Sequence, residues 1–303
     1  MTAIRTAQKV DNPVPPVLRD RGLLTQVADA VSVDRWEAGV TFVGYDATNK
    51  PVLVTHDWCN ADSLAARTAP DSDIPAFQAF SIWDGETCST LAVEPEWLSA
   101  RTHHRVDLWT SFNVAKELMS GATTGNPSLK STAVLVSGTH TPKAALMRLE
   151  LDWAAAFGNQ RADIHINPAL LMLLSPYLDS EVEEVETETM TANADGTTET
   201  TTERTTYRAY GTPSGHRVIF DAGYGNVAPT AGSSSTDADH LWMYASGPVA
   251  VKVGQVMDNA IAGSLSYTRN EFNARSHVVA LAAFDTDTVL AVKVSIADAV
   301  IDV

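Results

Sequence analysis

The stretch HRVDLWTSFNVAKELMSG, residues 104–121, decides how this chain reads. Val106, Trp109, Phe112, Ala115, Leu118 and Met119 recur at helical spacing, and Gly121 stands where a helix C-cap belongs. The run before it has a different period. In FQAFSIWDGETCSTLAV, residues 77–93, Phe77, Ala79, Ser81 and Trp83 alternate on one face, and Asp84-Gly85 is a favourable two-residue turn pair. A long two-stranded loop running straight into a long helix is the expectation around which the flanks are placed.

Upstream, residues 1–20 are polar, and Pro13, Pro15 and Pro16 fix an extended path, so this segment reads as an arm lying on something else. A short helix is expected within residues 23–31. GVTFVGYD and PVLVTHDW alternate on either side of ATNK, a hairpin signal. Downstream, Thr141-Pro142 opens a second helix whose stripe is Leu146, Leu149, Trp153 and Phe157. ADIHI is a strand, and Asn167-Pro168 opens a third helix that ends before Pro176. Residues 181–208 are rich in Thr and Glu. They read as a polar β-hairpin turning at Asp195-Gly196, which sets Glu183 opposite Arg208 and Thr187 opposite Arg204. The runs HRVIF, LWMYA, GPVAVKV, SHVVALAAF and TVLAVKVSI are strands. Strands, then helices, then strands again give an α+β class rather than a doubly wound sheet.

Bulk properties narrow the function. Hydrophobic residues make up 45% and charged residues 19% of the 303, a globular composition able to bury a core. A net charge of −16 repels phosphate at long range, which argues against direct nucleic-acid recognition. The start has no apolar core of the signal-peptide kind, and the longest apolar run, residues 169–174, is too short to span a bilayer. A chain made in the cytoplasm is expected.

Catalytic patterns are sparse. Gly223, Gly225 and Ala228 satisfy G-x-G-x-x-A after a strand, but Pro229, Gly232 and a serine run follow where a phosphate-binding helix would begin. His56, Cys59, Cys88, His103 and His104 lack a second tight ligand pair, so zinc is not expected. No G-x-S-x-G elbow occurs, and His165 reads as a satisfied structural histidine. Glu181, Glu183, Glu184, Glu186 and Glu188 read as a solvated face. No catalytic residue, cofactor or metal is assigned.

The order of parts resembles the Hong Kong 97 type of capsid fold of tailed bacteriophages. RVDLWTSFNVAKELMSG, TPKAALMRLELDWAAAF with IHINPALLMLL, GTPSGHRVIFDAGYG, LWMYASGPVAVKVG and NEFNARSHVVALAAFDTDTVLAVKV are similar to stretches of actinobacterial-phage members, over roughly residues 77–303. The resemblance implies an N-terminal arm and hairpin (1–76), an E-loop (77–103), and a peripheral domain with spine helix (104–140). An axial domain (141–255) carries the polar hairpin 181–208, and a return strand of the peripheral domain with a last strand closes the chain (256–303). It implies a non-enzymatic subunit that self-assembles into an icosahedral shell of pentamers and hexamers around double-stranded DNA. The implied partners are a separate scaffolding protein, a portal and, left open, a decoration protein; the implied place is the virion, assembled in the host cytoplasm. Phe77, Phe80, Ile82 and Trp83 are the expected contacts between subunits. No lysine lies between Lys50 and Lys116, so a shell held by noncovalent contacts is expected. The alternatives are a nanocompartment shell, which neighbouring genes would distinguish, a tail-tube or decoration protein, which the two helices disfavour, and a nucleotide-binding enzyme.

Overall fold

A computed structural model of the chain describes residues 23–24, 36–41, 76–89, 95–192, 198–230, 239–258, 265–266 and 271–297. Strand β1 (Val40–Thr41) pairs antiparallel with β2 (Ala76–Phe77). β3 (Phe80–Ser89) then runs into helix α1 (Pro95–Ser120). After α1 come a one-turn helix α2 (Leu129–Thr132), β4 (Val134–His140), α3 (Pro142–Phe157), β5 (Asp163–Ile166) and α4 (Pro168–Leu174). The long pair β6 (Asp179–Ala192) and β7 (Thr198–Gly211) follows, then β8 (Arg217–Phe220), β9 (His240–Ser246) and β10 (Val249–Val253). Short β11 (Met257–Asp258) and β12 (Leu265–Ser266) precede β13 (Glu271–Phe284) and β14 (Val289–Ser295).

Two sheets result. The first has the order β4-β14-β9-β5-β8-β7-β6, mostly antiparallel, with β4–β14 and β5–β8 parallel. In the second, β13 takes β10, β11 and β12 as antiparallel partners and also pairs with β3. The central strands β5, β8, β9 and β14 of the first sheet are buried on both faces, and the alternation along them shows it. Met243, Ala245, Leu290, Val292 and Val294 join Ile164, Ile166, Val218 and Phe220 in a core with Leu146, Leu149 and Trp153 of α3 and Leu170 of α4. Trp242, Tyr244, Ile219, Val289 and Ala291 point the other way, into a core with Val114, Ala115 and Leu118 of α1 and Ala280–Phe284 of β13. One sheet thus joins an outer helical layer to the α1–β13 layer.

Local chemistry sets the helix ends. Gly121 ends α1 with φ +58°, and its N–H donates to the Glu117 carbonyl at 2.7 Å. The buried Glu117 carboxylate accepts from the N–H groups of Thr123 and Thr124, each at 3.0 Å, and from the Thr124 hydroxyl. Burial opposes its ionisation, yet these donors hold its pKa below the ordinary value. Asn167 caps α4 by accepting from the Ala169 N–H at 2.9 Å. α3 starts at Pro142 as expected, although Thr141 makes no side-chain cap bond.

Three expectations are corrected. Asp84-Gly85 is not a turn: β3 runs straight through it and pairs continuously with β13, from Phe80↔Ala280 to Ser89↔Glu271. Ten cross-strand pairs outweigh a local turn preference. Residues 95–103 belong to α1 rather than to the loop, since Pro95 sits in the first turn, where its missing N–H is not needed. The polar hairpin forms, but one residue out of the expected register: Glu183 faces Tyr207, Val182 faces Arg208, and Glu186 faces Arg204. Two-sided polar strands specify register weakly. The ATNK hairpin and most of the arm lie outside the described residues.

Where α1 crosses the first sheet, the approach is set by Gly223 in the one-turn 3-10 segment Ala222–Tyr224. A Cβ there would overlap the Phe112 carbonyl oxygen and stand 2.9 Å from the Ala115 Cβ and from the Lys116 nitrogen. Backbone on a packed helix cannot yield cheaply. Gly223→Ala is therefore expected to lower unfolding free energy by about 2–3 kcal/mol, read as a lower urea midpoint with an unchanged m-value.

Candidate assembly interface

β3, β13 and α1 form a wedge whose two faces differ. On the face turned to α1, Arg105 donates through Nε to Asp84 at 2.6 Å and through a terminal nitrogen to Glu86 at 2.8 Å. Arg101 adds a 3.3 Å pair to Glu86. Burial works against the Arg105 charge, but Asp84 and then Glu86 more than offset it, and its pKa is raised. Thr102 and Ser276 share a buried hydroxyl–hydroxyl bond of 2.8 Å. These contacts hold Asp84-Gly85 extended, because the carboxylate a turn would swing away is engaged by α1.

The opposite face carries Ser81, Trp83, Gly85 and Thr87, which register against Val279, His277, Arg275 and Asn273 of β13. Trp83 is 61% exposed, with the Arg275 guanidinium 4.9 Å from its ring centroid. The next strand places Met257, 49% exposed, opposite His277. An indole, an arginine and a thioether thus share one open sheet face, a composition typical of interface hot spots.

Of the four expected contact residues only Trp83 is presented in this way. Phe77 is buried, with its ring 5.6 Å edge-on to Phe284, and Phe80 is buried in the same core. Ile82 is half-buried and packs against that core. The expected alternation fails because Gln78 and Ala79 leave the strand. The Asn126 side chain takes the place of a paired strand there, accepting from the Gln78 N–H at 2.9 Å and donating to its carbonyl at 2.8 Å. This break lets Phe77 and Phe80, three apart, both face inward. No sequence signal marks Asn126 for the role.

The remaining chemical patterns resolve as structure. Gly223 is the close-packing residue described above, and Gly225 ends that turn with φ +58°. Among the described residues no helix N-terminus stands there to receive a phosphate. Asp221 caps the turn through Gly223 N–H (2.8 Å), and its other oxygen accepts from the Ser111 hydroxyl (2.7 Å) and the Leu23 N–H (3.1 Å). Cys88 is a free thiol packed with Leu98, Phe272 and Ala274. His103 pairs with Asp258 at 2.9 Å. His56 and Cys59 lie outside the described residues, and among the described residues no group of three or more His, Cys, Asp or Glu is placed to hold a metal.

His165 superficially resembles a catalytic base, since its Nε2 lies 2.9 Å from the Ser246 hydroxyl. The hydrogen bonds say otherwise. Ser246 donates to the Gly247 carbonyl at 2.8 Å, so its oxygen accepts from His165 Nε2–H. Nδ1 therefore accepts from the Tyr224 hydroxyl, 2.9 Å away. Asp163, two residues along the strand, is committed to Arg217 at 2.9 Å and to the Val249 N–H at 3.2 Å. All three members are buried, and the ring is neutral with both nitrogens satisfied.

Comparisons with known proteins agree with this reading of the fold. No protein-family model matches the chain, and no curated protein matches its sequence. Among solved structures, a chain of Mycobacterium phage Ogopogo aligns at TM-score 0.53 and 12% identity, covering 96% of this chain and 97% of that one. A chain described as "Capsid of empty GTA particle computed with C5 symmetry" aligns at TM-score 0.50 and 11% identity, covering 96% and 95%. The likeness spans essentially the whole of each chain and is one of fold. The chain shares the mixed α+β fold of these two chains, with a long helix and flanking sheets, which is the fold that the resemblance to Hong Kong 97 type capsid proteins implies.

The His165 network sets a pH dependence. Burial pushes its pKa down to about 4 from 6.5; Asp163 opposes this and Arg217 adds to it. Between those values the unfolded chain binds the proton that the folded chain refuses. This contribution to stability is full above pH 6.5 and is lost as pH falls towards 4, by at most about 3 kcal/mol. Urea unfolding at pH 7 and pH 4.5 should show the loss in the native chain, and a shallower pH dependence in His165→Gln.

Proposed function

We propose that this chain is the structural subunit of an icosahedral phage capsid, assembling with a separate scaffolding protein into pentamers and hexamers around double-stranded DNA. It has no catalytic role. The observation that carries the reading is the end-to-end match in fold to a chain from a capsid particle. The chemistry supports it: the His165 network is buried with both ring nitrogens satisfied, and the G-x-G pattern at Gly223 serves packing. The open platform of Trp83, Arg275 and Met257 fits a surface that a neighbouring subunit covers. A portal at one vertex completes such a shell, and a net charge of −16 suits a container that holds DNA without sequence-specific contacts.

Phe77, Phe80 and Ile82 contribute by holding the root of β3 rigid, and Trp83 makes the contact. Trp83→Ala should leave the isolated subunit folded, since substitutions at exposed sites generally shift stability by no more than about 0.5 kcal/mol. Loss of an interface tryptophan costs about 2 kcal/mol or more per contact, multiplied over every subunit of a shell. Co-expression with the scaffold should give closed particles by electron microscopy for the native chain, and few or none for Trp83→Ala with an unchanged circular dichroism spectrum. Normal particles from Trp83→Ala would move the contact elsewhere. A native chain that stays monomeric beside its scaffold would overturn the capsid reading.

A further inference from the structure

Trp83, His277 and Met257 stand side by side across three strands, since they are direct partners in the registers of β3, β13 and β11. The outer two are exposed, with His277 half-buried between them. Two strand spacings, about 9.5 Å, separate Trp83 from Met257. The indole is pre-organised. A Cβ at Gly85 would stand 3.4 Å from its ring, so the ring lies along its own strand where no side chain intervenes. Arg275, the residue paired with Gly85, places its guanidinium 4.9 Å from the ring centroid. Two fixed apolar posts select a ligand that presents two apolar groups at the same interval.

The sequence contains one proline pair at that interval. Pro13 and Pro16, in DNPVPPV, are the only prolines three residues apart. Along a polyproline II path three residues advance about 9.3 Å and return to the same edge. Segments of this kind dock on exposed aromatic side chains with little entropy left to lose. Asp11 precedes Pro13 by two residues, roughly 6 Å, which brings it to Arg275 when Pro13 lies on Trp83. A stacked guanidinium keeps its in-plane donors for a carboxylate. The reverse orientation would carry Asp11 past Met257, away from Arg275. Residues 1–22 hold four basic residues against two acidic ones in a chain of net charge −16, so the segment as a whole is drawn to the bodies of other copies.

The anchor of the segment decides whose face it reaches. Leu23 is fully buried on the α1 side, with its N–H on the Asp221 carboxylate that also binds Ser111. The Trp83 face is the opposite one. Seven residues from Leu23 to Pro16 span at most about 25 Å. Within one copy they would have to follow α1 from Ser111 to the level of Arg105, about 9 Å, then round the sheet edge and cross its far side. We propose that residues 11–16 of one copy dock across β3, β13 and β11 of a second copy, with Pro13 on Trp83, Pro16 on Met257 and Asp11 on Arg275. The proposal rests on the capsid reading, whose Trp83 contact it supplies with a partner segment. Each copy gives its segment to one neighbour and receives another's, a head-to-tail relation that suits a ring.

The test uses the full chain, co-expressed with its scaffold, carrying Cys59→Ser, Cys88→Ser, Pro16→Cys and Met257→Cys. Mild oxidation of particles should give a ladder of disulfide-linked multimers on a non-reducing gel, since every copy both donates and accepts a segment. Pro13→Cys in place of Pro16→Cys should give at least fivefold less. Arg275→Asp should cut the ladder at least fivefold, and Asp11→Arg added to it should restore most of the loss. In particles of the native chain, peroxide should oxidise Met257 at least fivefold more slowly than in dissociated subunits. Particles without a ladder, an equal ladder from Pro13→Cys, a fast-running monomer with both cysteines joined in one copy, or undiminished Met257 oxidation would each overturn the proposal and leave the shell reading standing. A ladder from protein that forms no particles would sink the shell reading and keep this contact. Neither particles nor ladder would overturn both.

Discussion

Asp221 and Gly223 set the geometry on which the rest of the molecule depends. The missing side chain of Gly223 lets the turn after β8 touch the backbone of α1 at Phe112 and Lys116. The Asp221 carboxylate holds that turn, the Ser111 hydroxyl of α1 and the Leu23 N–H of the N-terminal segment together. Because α1 lies this close, Val114, Ala115 and Leu118 reach the core shared with β9, β13 and β14. A longer approach would open voids on the face of a sheet that has no solvent side to spare. The G-x-G pattern that mimics a nucleotide loop is in this light a demand of helix packing.

The fold was partly legible because its helices and its doubly buried strands carry their own signals. The stripe Leu146, Leu149, Trp153 and the caps at Gly121 and Asn167 are local chemistry, and they survive into the structure. What was hidden is long-range. Asp84-Gly85 has the composition of a turn, but its conformation is decided by Ser276 and Arg275 on a strand nearly two hundred residues away, and by Arg105 on α1. Pro95 reads equally well as the end of a loop or the first turn of a helix until the packing of Leu98 against Phe272 is seen. Phe77 and Phe80 were misplaced on the open face for the same reason: the two-residue break held by Asn126 changes the phase of the strand and turns both inward.

Buried polar groups in the molecule are spent on specificity. His165, Tyr224 and Ser246 fix the side of β5 that faces away from α3, and Asp163 with Arg217 fixes its end. Burial raises the Tyr224 pKa well above its ordinary value, so the phenol stays a donor at any physiological pH. A hydrophobic substitute of the same shape would pack, but it would no longer distinguish this register of β5 from its neighbours.

The pairing of β3 with β13 has a mechanical consequence. Ten consecutive residue pairs lie side by side, with the strands antiparallel and the β3 end clamped by Arg101 and Arg105. A load applied along β3 acts on all of those pairs together, in shear. A load applied across it would open them one after another, like a zipper. Force that reaches Trp83 within the plane of the sheet is therefore carried through β13 into α1 and the core they share, while the same force directed outward meets only the hydrogen bonds of one pair at a time.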